Sequence, residues 1–155
     1  ETIQDRITHL NKLREQQDSS GGFQCFVPYP FLKDNTRLPE ARLASGEEVI
    51  RIISLSRIML DNIPHIKAYR MNIGDHLSTI AINSGADDID GTVGHEEIMH
   101  VAGSTTNLNY DSHKLGNLID SAGQNPVKRD STYTRFEPLE IKPKREGKLL
   151  PIIGQ

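Results

Sequence analysis

Apolar residues recur at helical spacing through residues 2–17, where Ile3, Ile7, Leu10 and Leu13 fall on one face. Thr2 stands as N-cap with Asp5 in the first turn, and "SSGG" at 19–22 ends the helix. The short apolar run Phe23-Gln24-Cys25-Phe26-Val27, closed by Pro28 and Pro30, predicts a buried strand. After a polar loop, Ser45-Gly46-Glu47-Glu48 matches the capping pattern S-x-x-E ahead of an apolar run to Leu60, so a second helix begins at Gly46. "IPHIKAYRMNI", rich in strand formers and closed by Gly74, predicts a second strand. Asp75 is placed to cap a third helix through Asn83, with Leu77, Ile80 and Ala81 inward and Gly85 as its stop. "ADDIDGT" at 86–92 predicts a third strand, and Thr92 a cap for a fourth helix that carries Glu96 and Glu97 early and ends at Ala102-Gly103. A fifth helix runs from Asp111 to Ala122, and from Val127 the chain reads as an extended tail.

Strand and helix thus alternate three times, the pattern of an α/β protein with a parallel sheet and right-handed crossovers. Three βα units leave two open sheet edges where eight would close a barrel, so part of the architecture is expected outside this chain. The expected division is 1–133 for the barrel portion and 134–155 for the tail.

Composition narrows the classes. The 155 residues carry a net charge of −3, with 35% hydrophobic and 25% charged residues. Basic residues cluster only at Lys142, Lys144, Arg145 and Lys148, a poor footprint for nucleic acid. No apolar run approaches the roughly 20 residues that span a bilayer, and "ETIQDRITHL" resembles neither a signal peptide nor an initiator start. A cytoplasmic protein whose first residue is internal to a longer chain is expected. The single cysteine, Cys25, permits no intrachain disulfide and no cysteine-ligated cluster built by this chain alone.

In α/β proteins ligands sit beyond the carboxyl ends of the strands, which here means Val27–Phe31, Tyr69–Asn72 and Asp88–Thr92. Alternation puts Asp88 and Asp90 on one face, about 6 to 7 Å apart, with Asp87 and Ile89 on the other. Two readings stand for these acids: a binding or proton-handling pair, or structural carboxylates tied to backbone or arginine. His65, Lys67 and Tyr69 share a face of the second strand, and Lys67 needs a partner such as Asp88 or Asp90, or a ligand. "HEEIMH" fails as a helical zinc motif, because His95 and His100 are five apart and point about 140° away from each other. Glu96 and His100, one turn apart, could share a hydrogen bond. Cys25 reads as a small buried hydrophobe. The common nucleotide-binding motifs and the G-x-S-x-G nucleophile elbow do not occur.

Four phrases say more: "GGFQCFVPYPFLKDNTRL", "RIMLDNIPHIKAYRMNIG", "GADDIDGTVGHEEIMHVAG" and "AGQNPVKRDSTY". Together they resemble the C-terminal half of the aminofutalosine synthase family, radical S-adenosylmethionine (SAM) enzymes of the futalosine route to menaquinone. "PHIKAY" and "GADDIDGTV" favour that family over its relatives, cyclic dehypoxanthine futalosine synthase and the deazaflavin-chromophore subunits; Arg70 departs from it by standing where a Trp follows "KAY". The resemblance implies the C-terminal part of a TIM-type (β/α) radical SAM barrel whose missing N-terminal half binds SAM and a [4Fe–4S] cluster, with a small-molecule substrate, 3-[(1-carboxyvinyl)oxy]benzoate. It further implies Asp90 and Asp88 as catalytic candidates and Tyr69, Arg70, Thr92 and Lys67 as substrate or cofactor contacts. A cluster-free binding module or split subunit, and a self-associating chain that hides its sheet edges, remain the competing readings.

Overall fold

A computed structural model describes residues 1–38 and 40–141. Helix α1 (Ile3–Ser20) starts at the Thr2–Asp5 capping box and ends at Gly21 in the left-handed region, φ 60°. Strand β1 (Cys25–Phe26) leads through a long loop to α2 (Gly46–Met59), whose Ser45–Glu48 capping box forms as the sequence predicts. Strand β2 (His65–Ala68) and strand β3 (Asp88–Ile89) flank α3 (Arg70–Ile82). The three strands are parallel in the order β1-β2-β3, with Cys25 opposite His65 and Lys67 opposite Asp88.

Register divides the sheet into two chemically different faces. Ile66, Ala68 and Ile89 face the helices and pack with Leu10, Val49, Ile53, Leu60, Ile63 and Ala81 in one core. His65, Lys67 and Asp88 face the other way, toward an antiparallel hairpin of β4 (Val127–Arg129) and β5 (Phe136–Pro138). Between β3 and this hairpin lie a four-residue helix α4 (Ile98–Val101) and α5 (Ser112–Ser121), capped by the Asp111 carboxylate on the Lys114 amide at 2.8 Å.

Several expectations are corrected. The second strand does not run to Gly74: helix begins at Arg70, and Gly74 (φ 81°) kinks it. Asp75 caps nothing; its carboxylate accepts from Arg70 and Tyr110. Ile80 points outward, half exposed, while Ala81 is buried. Thr92 opens no helix: residues 91–97 are irregular, and Glu96 instead caps α4 through the Met99 amide. The residues from Val127 to Pro138 are extended but paired as a hairpin. The basic cluster at Lys142–Lys148 lies outside the described residues. No helix among the described residues is long and apolar enough to cross a membrane.

Candidate functional site

Asp88 and Asp90 sit two residues apart and meet opposite environments. Asp88 accepts both prongs of the Arg129 guanidinium (2.8 and 2.7 Å) and the Tyr133 hydroxyl (2.7 Å), with Lys67 Nζ at 3.4 Å. Burial pushes this carboxyl upward, but Arg129, Tyr133 and Lys67 outweigh it and hold it below the ordinary carboxylate range. Both oxygens are occupied, so Asp88 is a charged tie between the sheet and the hairpin. Burial and the Asp88 charge push the Tyr133 phenol up, so it stays a donor. Lys67 finds the partner expected for it.

Asp90, only 4% exposed, lies just beyond β3. Its Oδ1 accepts the Arg70 amide at the first turn of α3, while Oδ2 has no hydrogen-bond partner among the described residues. Arg70 Nε approaches that oxygen to 3.5 Å without hydrogen-bonding it. Burial raises the Asp90 carboxyl, and the Arg70 charge only partly offsets this. Arg70 itself is fully buried. Its guanidinium donates to Asp75 Oδ1 and the Asn107 carbonyl, both at 3.1 Å, and lies 4.4 Å from the Tyr110 ring.

Around Asp90 the strand ends gather further groups. Tyr69, the residue before α3, lies 5.0 Å from Tyr29 ring to ring, and its hydroxyl is 3.5 Å from Glu96 Oε2. Burial, then the neighbouring Tyr29 and the Glu96 and Asp90 charges, push the Tyr69 phenol to about 12. Exposed Thr92 shares with Asp88 and Asp90 a cleft of about 680 Å³ between β3, α5 and the hairpin, walled by Leu115, Ile119 and Tyr133. Glu96 and His100, which could share a hydrogen bond, go to different partners: His100 Nε2 meets the Thr106 carbonyl at 2.9 Å and Glu96 Oε1 the Met99 amide. Cys25 is half-buried, and burial pushes its thiol up.

Six candidates were named from the sequence; the structure groups Lys67 with Asp88, and Arg70 with Asp90, and leaves Tyr69 beside Glu96 and Thr92 on the cleft. Arg129 and Tyr133 were not singled out, although "VKRDSTY" contains them; nothing in their spacing reveals that a hairpin returns them to Asp88. Tyr29 and Glu96 were visible only as members of a strand end and a helix start.

Comparison with known proteins places the chain in a family. The family described as the CofH/MqnC C-terminal region matches residues 20–141. The aminodeoxyfutalosine synthase of Thermus thermophilus is 36% identical over 137 residues, covering 86% of this chain and 37% of its own length. The cyclic dehypoxanthine futalosine synthase of Streptomyces coelicolor is 33% identical over 133 residues, covering 86% of this chain and 33% of its own. The 5-amino-6-(D-ribitylamino)uracil–L-tyrosine 4-hydroxyphenyl transferase of Methanoculleus marisnigri is 36% identical over 137 residues, again 86% and 37%. The chain spans less than two fifths of the length of these curated relatives.

Proposed function

The chain belongs to the CofH/MqnC C-terminal family, and from that premise we propose that it supplies the substrate-facing strand ends of a radical SAM aminofutalosine synthase acting in menaquinone biosynthesis. On this reading the whole enzyme joins an adenosyl group to 3-[(1-carboxyvinyl)oxy]benzoate, and SAM with a [4Fe–4S] cluster supplies the radical chemistry.

The residues of this chain do not fit the cluster. Cluster ligation takes several thiolates, whereas the chain has one cysteine, whose thiol burial holds protonated. The ligands therefore belong, on this reading, to the part of the protein beyond the chain. What the chain contributes is positioning. Asp90 presents a buried oxygen that makes no hydrogen bond among the described residues, with Arg70 Nε 3.5 Å away, at the carboxyl end of a parallel strand, and this single feature carries the proposal. Its raised carboxyl either accepts a hydrogen bond at Oδ2 or holds a proton there. Leu115 and Ile119 give the cleft beside Asp90 an apolar wall.

Identity does not separate the synthase from the ribitylaminouracil transferase, since both stand at 36%. "PHIKAY" and "GADDIDGTV" favour the synthase. The deciding experiment gives the full-length enzyme each relative's substrates in turn: aminofutalosine formation is expected, and product only from the other pairs would refute the assignment. In that enzyme Asp90→Asn should lower turnover about 100-fold, the scale of a lost proton-handling group, with iron content unchanged. Undiminished turnover would remove Asp90 from the reaction.

A further inference from the structure

We propose that Asp75 is a positioning residue for Asp90: its carboxylate draws the buried Arg70 guanidinium to one side and keeps Arg70 Nε from closing a hydrogen bond onto Asp90 Oδ2. The proposal rests on the proton-handling reading of Asp90 above and deepens it, by naming the residue that sets how tightly that proton is held.

Two buried atoms face each other unsatisfied. Arg70 Nε and Asp90 Oδ2 have no hydrogen-bond partner among the described residues, and they stand 3.5 Å apart. Closing would bring them to the charge-assisted separation of about 2.7 to 2.9 Å, which favours a donor and an acceptor of opposite charge. The rest of the guanidinium is held elsewhere. Nη1 donates to Asp75 Oδ1 and to the Asn107 carbonyl, both at 3.1 Å, Nη2 meets the Met71 sulfur at 3.3 Å, and Cζ lies 4.4 Å from the centre of the Tyr110 ring. Because the guanidinium is a rigid plane, fastening Nη1 fixes Nε as well.

Asp75 is fixed in turn from the loop before α5. The Tyr110 hydroxyl donates to its Oδ2 at 2.7 Å, and that bond, followed by burial, raises the phenol so that it stays a donor. Arg70 and Asp75 are five residues apart, which on an unbroken helix would turn them about 140° away from each other; the non-helical Gly74 lies between them, and the pair meets. One cation thus stands between two carboxylates, bonded to Asp75 and merely near Asp90.

The consequence has a sign. Burial raises the Asp90 carboxyl, and the Arg70 charge, followed by backbone amides, pulls the other way. Removing the Asp75 charge takes away a repulsion and frees Arg70 to close on Oδ2, and both effects favour ionised Asp90. The other neighbours are committed. The Tyr29 and Tyr69 phenols, raised chiefly by burial, stay neutral while a carboxyl titrates, Glu96 is on the Met99 amide, Lys67 faces Asp88, and Lys114 of α5 lies 5.5 Å from the Tyr110 ring.

The test follows the Asp90 carboxyl in the full-length protein by carbon NMR, its resonance assigned as the one lost in Asp90→Asn. Asp75→Asn should lower the Asp90 titration midpoint by about one pH unit, a tenfold weaker hold on the proton, and Asp75→Glu should return it toward the parent value. An unmoved or raised midpoint in Asp75→Asn overturns the proposal. Water entering a loosened fold would also lower the midpoint, so the Arg70 Nε proton is read alongside. In Asp75→Asn it should move downfield and exchange with water more slowly, as a newly formed hydrogen bond requires; faster exchange overturns the proposal. So does a parent Nε proton already at the position of a carboxylate-bonded guanidinium, a result that needs no variant. Turnover separates the proposal from the reading it rests on. The pH limb that Asp90→Asn abolishes should shift with the NMR midpoint in Asp75→Asn, and a limb that stays in place while the midpoint moves overturns the positioning role. Full turnover in Asp90→Asn refutes the proton-handling reading instead, while a midpoint that still falls in Asp75→Asn supports the hold of Asp75 on Arg70.

Discussion

Two aspartates on one short strand end with opposite electrostatic fates because of what each meets across the fold. Asp88 is paired by Arg129 at 2.7 and 2.8 Å, so truncating Arg129→Ala leaves a largely buried carboxylate short of its main partner. In the full-length protein this should cost about 3 kcal/mol in urea unfolding, as breaking a buried ion pair does; a loss below about 0.5 kcal/mol would class the pair with inert surface contacts. The pH dependence has a definite sign. Asp88 is held below its ordinary value of 3.8, so its contribution to stability is complete above that pH and is lost as pH falls below it. Asp88→Asn should therefore flatten the acid limb of a stability-versus-pH curve, and an unchanged limb would contradict the pairing. Asp90 works in the opposite direction, because its raised carboxyl becomes costlier to keep charged as pH rises through its folded value. Both acids were legible in "ADDIDGT" as a feature needing explanation. Their partners were not, since Arg129 and Tyr133 lie more than 40 residues away along the chain.

At the scale of elements, "YRMNIG" shows how a tertiary contact overrides a strand-like pattern. Strand preference carries β2 only to Ala68, and the Asp90 carboxylate then binds the Arg70 amide, supplying α3 with the N-terminal acceptor that Tyr69 lacks. A carboxylate at a helix N-terminus is favoured by both its open amides and its dipole. Gly74 then turns the chain at φ 81°, which no side-chain-bearing residue adopts without strain. Gly74→Ala should destabilise the protein by about 1 kcal/mol or more, read as a lower urea midpoint at constant m-value. An unaltered midpoint would mean that the kink relaxes freely. The capping boxes at Thr2 and Ser45 form where the sequence places them, because a cap depends on residues three apart and on nothing distant.

The molecule as a whole is a three-stranded parallel sheet with helices on one face, and β1 and β3 each present an unpaired edge among the described residues. Open edges invite pairing, so we propose that the isolated 155-residue chain self-associates and that the remainder of the protein, supplied in trans, replaces the self-contact. Light scattering should find the chain alone above monomer mass; a stable monomer at micromolar concentration would count against this. The sequence by itself determined the α/β alternation, the parallel sheet, three of the helix starts to within a residue or two, and the family, because periodicity, capping and wording are local properties of the chain. It also offered Asp88 or Asp90 as a partner for Lys67, and the register of neighbouring strands decided for Asp88. Only the tertiary structure decided which strand face meets the helices, that the last segment folds back as a hairpin to occupy Asp88, and that Asp90 is buried beside the Arg70 guanidinium. Those outcomes depend on register and on contacts between distant segments, where a shift of one residue reverses every side chain.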